Sequence, residues 1–172
     1  WRRSLQSGSR TTASDELGLA EDGALWLESL RSLVARGLRG VNLVISDSHE
    51  GLKNAIEAVF QGAAWQRCRV HFVRNVLAQV PKSAQQMVAA SIKTVFIQQH
   101  QQSARTQLGH VAVGLEKRFP RAAEILLEAE EDVLAFMAFP SEHWRQIYST
   151  NPLERLTKEV KRWTDVVGIF PD

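Results

Sequence analysis

The stretch Val41 to Leu52, V-N-L-V-I-S-D-S-H-E-G-L, constrains this chain more than any other. Four of the six residues before Asp47 are apolar, and Leu43, Val44 and Ile45 run without interruption. A short unbroken run of this kind predicts a strand covered on both faces, as in a parallel or mixed sheet flanked by helices. The run stops on an acid, and helical spacing resumes over about Ser48 to Phe60, with Leu52, Ile56, Val59 and Phe60 on one face. In such sheets chemistry collects past the carboxyl ends of the strands, where a side chain is held at its backbone and still reaches a cleft. Asp47 holds that position. The competing assignment makes Asp47 the cap of the following helix, and spacing leaves both open.

The flanking segments extend the pattern. Upstream, a helix is predicted over about Glu21 to Arg36, with Leu25, Trp26, Leu30, Leu33 and Val34 as its apolar face and Gly37 as its stop. Residues 1–14 are polar, carry three arginines and show no period, which predicts loop or disorder. Downstream, Gly62 ends the second helix and Ala64 to Val70 reads as a second strand. From residue 71 the character changes: 71–79, 82–99, 103–118 and 121–136 all favour helix, punctuated by Pro81 and Pro120. One amphipathic face carries Met87, Val88, Ile92, Val95 and Phe96, and another Ile125, Leu126, Val133 and Leu134. The fold class is therefore α/β, with a largely helical segment over about 72–140 inserted into or appended to the sheet layer. A last helix opens at Thr150-Asn151-Pro152, with proline at its first turn, Glu154 just inside it, and Leu153, Leu156, Val160 and Trp163 predicted to bury one face.

Composition enters as a set of exclusions. No apolar run approaches the ~18 residues of a membrane span, and the first residues, W-R-R-S-L-Q-S-G-S-R-T-T, have no apolar core for a secretory signal. The single cysteine, Cys68, rules out an internal disulfide and favours a cytoplasmic setting. The net charge is only +2, yet residues 61–121 hold nine Lys or Arg against one acid, while residues 122–140 hold five acids and no base. A basic block of this kind suits either a polyanion or an ordinary solvated helical surface.

Three constellations carry chemistry. Asp47 and Glu154 are oxygen ligands at a strand end and a helix start, a pairing that suits Mg²⁺ and phosphoryl transfer; the plainer reading makes one a cap and the other a complement to the helix dipole. Cys68 and His71, spaced as C-x-x-H, have zinc-ligand spacing, but one cysteine and five scattered histidines argue against a closed four-ligand site. Ser48-His49 beside Asp47 lacks the G-x-S-x-G setting of a hydrolase nucleophile, which leaves His49 as a hydrogen-bonding neighbour of the carboxylate. No phosphate-binding glycine loop is present: Gly37, Gly40, Gly51 and Gly62 fit turns and helix ends. Finally, Arg155, Lys158, Lys161 and Arg162 surround Glu154 on the last helix, and Arg67, Arg69 and Arg74 lie around the start of the helical segment; such bases would draw a phosphate backbone toward the acids.

Taken in order, R-G-L-R-G-V-N-L-V-I-S-D-S-H-E-G-L, W-Q-R-C-R-V-H-F-V-R-N and Y-S-T-N-P-L-E-R-L-T-K-E-V-K-R-W-T-D-V-V-G-I-F-P closely resemble the Mutator-type transposases of bacterial insertion sequences, from about residue 16 to the end. The resemblance implies an RNase H-like core with a D-D-E triad and a helical insertion between its second Asp and its Glu. Asp47 matches that second Asp and Glu154 matches the Glu, in T-N-x-x-E with Asn151. Cys68 and His71 match a C-x-x-H motif near the site. The implied chemistry is Mg²⁺- or Mn²⁺-dependent strand cleavage at element ends and attack of the freed 3′-hydroxyl on target DNA, in the bacterial cytoplasm and on the nucleoid. The implied partner is DNA, and a homo-oligomer is compatible. Two departures accompany it. Only Asp15 and Asp22 precede Asp47, and neither follows a strand. Thr157 and Trp163 stand where the family more often has Asn and Arg. The expectation is a C-terminal transposase fragment with a partial RNase H-like core: two strands retained, the early strands and first catalytic Asp missing. Residues 15–172 would form this domain after an unmatched 1–14. The alternatives are a non-catalytic DNA-binding or subunit-binding remnant of a decayed element, and a helical protein with no nucleic-acid role.

Overall fold

A computed structural model describes the backbone of residues 13–167, and the side chains from residue 23 onward except those of residues 152, 160, 161 and 163–167. Residues 1–12 of the expected 1–14 loop, and the apolar contributions of Val160 and Trp163, lie outside the described residues, whereas Ala13 and Ser14 are helical because the first helix starts ahead of the predicted Glu21. The chain forms two compact units.

The first unit holds α1 (Ala13–Ala35) and α2 (Glu50–Val59), packed on each other. The predicted inner face of α1 is rotated. Leu25, Trp26 and Leu33 are exposed, while Gly23, Leu27, Leu30 and Val34 are the half-buried set, spaced +4, +3, +4. The reason lies in two glycines: a Cβ on Gly23 would sit 3.6 Å from the Cα of Gly51, so the helices meet where neither has a side chain. Gly51 is therefore a helix-contact residue inside α2, not a turn residue. Gly37, Gly40 and Gly62 do adopt positive φ, as expected of turn glycines.

The second unit holds the sheet and the remaining helices. Strand β1 (Leu43–Ser46) pairs in parallel with β2 (Ala64–Arg67), in the register Leu43 to Ala64 through Ser46 to Arg67. Leu43, Val44 and Ile45 are only half-buried, short of the full cover expected, because this sheet has two strands among the described residues. The second strand also ends sooner than predicted. The Cys68 N–H still donates to the Ser46 carbonyl at 2.7 Å, but α3 (Arg69–Ala78) begins at once, so Arg69 and Val70 are helical.

Four further helices follow: α4 (Lys82–Phe96), α5 (Gln101–Glu116), α6 (Pro120–Glu128) and α7 (Glu130–Leu134), the last continuing as a 3₁₀ turn over Ala135–Ala138. No strand interrupts 71–135 among the described residues, as expected. Their inner faces form one core in which Phe72, Val76, Val88, Ile92, Leu108, Leu126, Val133 and Phe136 are sealed from solvent. Met87, predicted to be inside, is exposed. The five acids of 122–140 answer part of the basic block: Arg105 pairs with Glu131 and lies near Glu130, and Arg121 pairs with Glu124.

The sheet is joined to this core through a polar residue. Gln66 is fully buried; its Nε2 donates to the carbonyls of Val133 (3.0 Å) and Arg67 (2.7 Å), and its Oε1 accepts from the Phe136 N–H (2.7 Å). A buried amide is stable only with such partners. After a 3₁₀ turn (Ser141–His143) and the short α8 (Trp144–Ile147), Trp144 and Tyr148 pack edge-on against Phe136. The final helix, α9 (Asn151–Val167), follows. Leu153 and Leu156, predicted to face inward, are exposed.

Candidate active site

Parallel pairing builds the floor of the site. Ser46 and Arg67 are partners in register, so the residues that follow them, Asp47 and Cys68, leave the same end of adjacent strands. Asp47 does not cap the next helix. The cap of α2 is His49, whose Nδ1 accepts from the Leu52 N–H at 3.3 Å. This removes the competing assignment for Asp47 and gives His49 a structural role.

Cys68 is the N-cap of α3, and His71 sits three residues later in its first turn. That spacing at a helix start turns both side chains toward the same end of the helix. Cys68 is wholly buried. His71 Nδ1 lies 2.5 Å from Asp47 Oδ1, and its Nε2 lies 3.7 Å from Glu154 Oε1. The imidazole therefore stands between two acids that are 107 residues apart in sequence. The close Nδ1–Oδ1 contact lacks hydrogen-bond alignment: Nδ1 is buried and has no hydrogen-bond partner.

Glu154 is delivered by a tethered segment. The Arg69 N–H donates to the Tyr148 carbonyl at 3.0 Å, and the Arg69 guanidinium stacks over the Tyr148 ring at 3.5 Å, with Phe96 at 4.8 Å. Burial lowers the Arg69 pKa, opposed by its interactions with Tyr148. Two residues beyond Tyr148, Thr150 Oγ1 donates to Glu154 Oε1 at 2.8 Å and also lies 3.3 Å from Cys68 Sγ. One hydroxyl proton serves one acceptor at a time, and the carboxylate is the stronger. Thr150 thus links the C-x-x-H turn to the helix that carries Glu154. Asn151, the first residue of α9, is half-buried.

The basic residues divide into two groups. Arg69 is committed to its aromatic stack, and Arg67 is half-buried with its guanidinium 5.4 Å from the Phe72 ring centre. Burial lowers the Arg67 pKa, while Asp132, Asp47 and Glu128 raise it. By contrast, Arg74, Arg155, Lys158 and Arg162 are exposed, Arg162 in a surface pair with Glu159. The Lys161 side chain lies outside the described residues.

Residues 5–172 match the family described as Transposase, Mutator family. The chain belongs to the Mutator family of transposases. The match begins ahead of residue 16, where the motif resemblance starts, and takes in most of the 1–14 stretch. This Mutator-family chain is 48% identical over 165 residues to the transposase for insertion sequence element IS1081 of Mycobacterium tuberculosis, covering 96% of the chain and 40% of that protein. It is 38% identical to the transposase for ISRM5 of Rhizobium meliloti, over 96% of the chain and 42% of the relative. It is 32% identical to the transposase for IS256 in transposon Tn4001 of Staphylococcus aureus, over 97% and 43%. The chain thus spans about two fifths of the length of these relatives. Among the described residues no helix is long and apolar enough to cross a membrane.

Proposed function

We propose that this chain supplies part of an RNase H-like catalytic core of an insertion-sequence transposase, in which Asp47 and Glu154 are two carboxylates of the metal site for DNA strand cleavage and strand transfer. The observation that carries this reading is the meeting of Asp47 and Glu154 on opposite sides of His71. Both acids are exposed, 56% and 44%, so both can take an oxygen-seeking cation that keeps several of its waters. That fits Mg²⁺ or Mn²⁺ in donor type, once Glu154 closes past the intervening imidazole. When bound, such an ion supplies charge stabilisation for in-line displacement at phosphorus.

The chain's own residues do the positioning. Asp47 is fixed by the β1 ladder. Thr150 orients the Glu154 carboxylate, and the Arg69–Tyr148 stack fixes where α9 begins. Cys68 and His71 organise the space between the acids. Arg74, Arg155, Lys158 and Arg162, with Lys161, hold the phosphate backbone of an element end or a target duplex. The third carboxylate of the expected triad is unassigned: Asp15 and Asp22 fall within α1, not at a strand end. Two carboxylates alone hold a metal weakly and leave the in-line geometry incomplete, so this chain by itself is expected to be inactive in strand cleavage. The setting is the bacterial cytoplasm, with DNA as the partner.

The test is Mn²⁺ binding followed by paramagnetic resonance, alongside nicking of plasmid DNA bearing the end sequences of a related insertion sequence. Asp47→Ala and Glu154→Ala should each weaken Mn²⁺ binding about tenfold or more, as expected for loss of one direct carboxylate ligand. Equal binding by all three proteins would remove the assigned site. The second reading, a DNA-binding module without catalysis, draws on the exposed bases of α9. It predicts salt-dependent duplex binding that survives Asp47→Ala unchanged, with no nicking at any Mn²⁺ concentration.

A further inference from the structure

We infer that Asp47, Cys68 and His71 form a second kind of metal site: a three-ligand site for a borderline-soft divalent ion such as Zn²⁺ or Co²⁺, distinct in chemistry from the hard-cation site. The ligand atoms of these three residues lie within 4.8 Å of one another. A tetrahedral ion bound by sulfur, nitrogen and oxygen at 2.0–2.3 Å holds its ligand atoms roughly 3.3–3.8 Å apart. The cluster is within about 1 Å of that geometry. The adjustment falls on Asp47, whose side chain is more than half exposed and free to turn, while Cys68 and His71 are fixed by the first turn of α3.

His71 Nδ1 is buried without a hydrogen-bond partner, yet an Asp47 oxygen faces it at 2.5 Å. That separation is about 0.8 Å shorter than a shared ion would set, so an ion entering here displaces the exposed Asp47 carboxylate from the imidazole. The wholly buried sulfur of Cys68 completes the set. Thiolate and imidazole donors select zinc-like ions over Mg²⁺, which prefers oxygen alone. The one-cysteine composition still argues against a closed four-ligand site. Here three protein ligands leave a fourth position open, the pattern of zinc sites that bind water or a substrate oxygen. Asp47 has two oxygens, so an ion held at Oδ1 leaves the other for a hard cation, and the soft site would then fix the orientation of a carboxylate used in catalysis. The inference goes beyond strand cleavage and does not require it.

Chelator-treated chain titrated with Co²⁺ provides the test. The expected result is one Co²⁺ per chain, with a thiolate-to-cobalt charge-transfer band that Zn²⁺ bleaches and a large excess of Mg²⁺ does not. Asp47→Asn and His71→Ala keep the cysteine and should each weaken Co²⁺ binding at least tenfold, with helical circular dichroism checking the fold. Glu154→Gln should leave the band unchanged while weakening Mn²⁺ binding, which separates this site from the catalytic one. Absence of the band in the native sequence, or a band with unaltered affinity in both ligand variants, would overturn the proposal.

Discussion

Gln66 is the residue through which the sheet end depends on the helical core, and replacing it with leucine tests that dependence. The side chain is fully buried and makes three hydrogen bonds, two of them to backbone groups about 70 positions away, at Val133 and Phe136. Leucine has nearly the same volume, so no large cavity forms. What changes is that the buried Phe136 N–H loses its acceptor and the Val133 and Arg67 carbonyls lose a donor. Each buried group left unpaired costs about 1–3 kcal/mol. Carbonyls keep some alternative partners, and the added apolar surface returns part of the loss, so the net cost is about 3 kcal/mol. For a chain of this size that corresponds to a fall in Tm of about 6–12 °C. Urea unfolding followed by tryptophan fluorescence reads it directly, since Trp144 packs edge-on against Phe136. Gln66→Glu sharpens the test: it keeps an acceptor for Phe136 but turns a second oxygen on two carbonyls, and should be at least as harmful at neutral pH. A loss under about 1 kcal/mol for Gln66→Leu, with an unchanged denaturant slope, would show that the amide is not what joins sheet to core.

Other substitutions probe the remaining links. Arg69→Lys keeps the charge but loses the flat stack on Tyr148, and should cost about 1 kcal/mol in urea unfolding while weakening Mn²⁺ binding; unchanged Mn²⁺ affinity would refute its role in placing Glu154. Thr150→Val removes the hydroxyl held to Glu154 and should raise the Mn²⁺ dissociation constant by about tenfold, by analogy with other residues that orient metal ligands; an unchanged isotherm in titration calorimetry would count against it. Replacing Arg155, Lys158 and Arg162 with glutamine should make the salt dependence of duplex binding shallower by about 2–3 in the log–log slope; an identical slope would place the DNA elsewhere. Gly109 and Gly114 lie inside α5, with open space where a Cβ would project. Each Gly→Ala change there should stabilise by about 0.5–1 kcal/mol, whereas alanine at Gly37 (φ +108°) should destabilise; the same sign at all three positions in thermal melts would contradict the backbone assignment.

Much of this arrangement is legible in residue order, and what is not has identifiable causes. The apolar run ending in Asp47, the helices punctuated by Pro81 and Pro120, and the start of α9 near Asn151 all rest on local signals, and local signals read well. Faces read less well, because periodicity marks an apolar stripe without naming what covers it. On α1 the Gly23–Gly51 approach selects a different stripe, and on α9 Leu153 and Leu156 stay exposed. The end of β2 was hidden because alternation through Cys68 and Val70 mimics a strand, whereas Cys68 caps a helix. Gln66 gave no signal, since a buried amide looks like a surface amide until its partners, far away in sequence, are known. Thr150 could be read as a cap; that its hydroxyl serves the Glu154 carboxylate depends on how the helix docks.

The site is therefore assembled with unequal stiffness. Asp47 and Cys68 leave adjacent strand ends in register, and His71 follows within one helical turn, so these three are set by continuous backbone hydrogen bonding. Glu154 has no such support. It reaches the site through the Arg69–Tyr148 stack and the Thr150 hydroxyl, and the described apolar residues at the start of α9, Leu153 and Leu156, bury little surface. A few weak contacts of this kind can be rearranged at a cost of a few kcal/mol, within reach of metal or DNA binding. For one cation to touch both carboxylates, either His71 or Glu154 must move, and Glu154, held by the weaker contacts, is the one that moves. The Asp47–Cys68–His71 cluster stays in place while the helix carrying the last carboxylate closes on it.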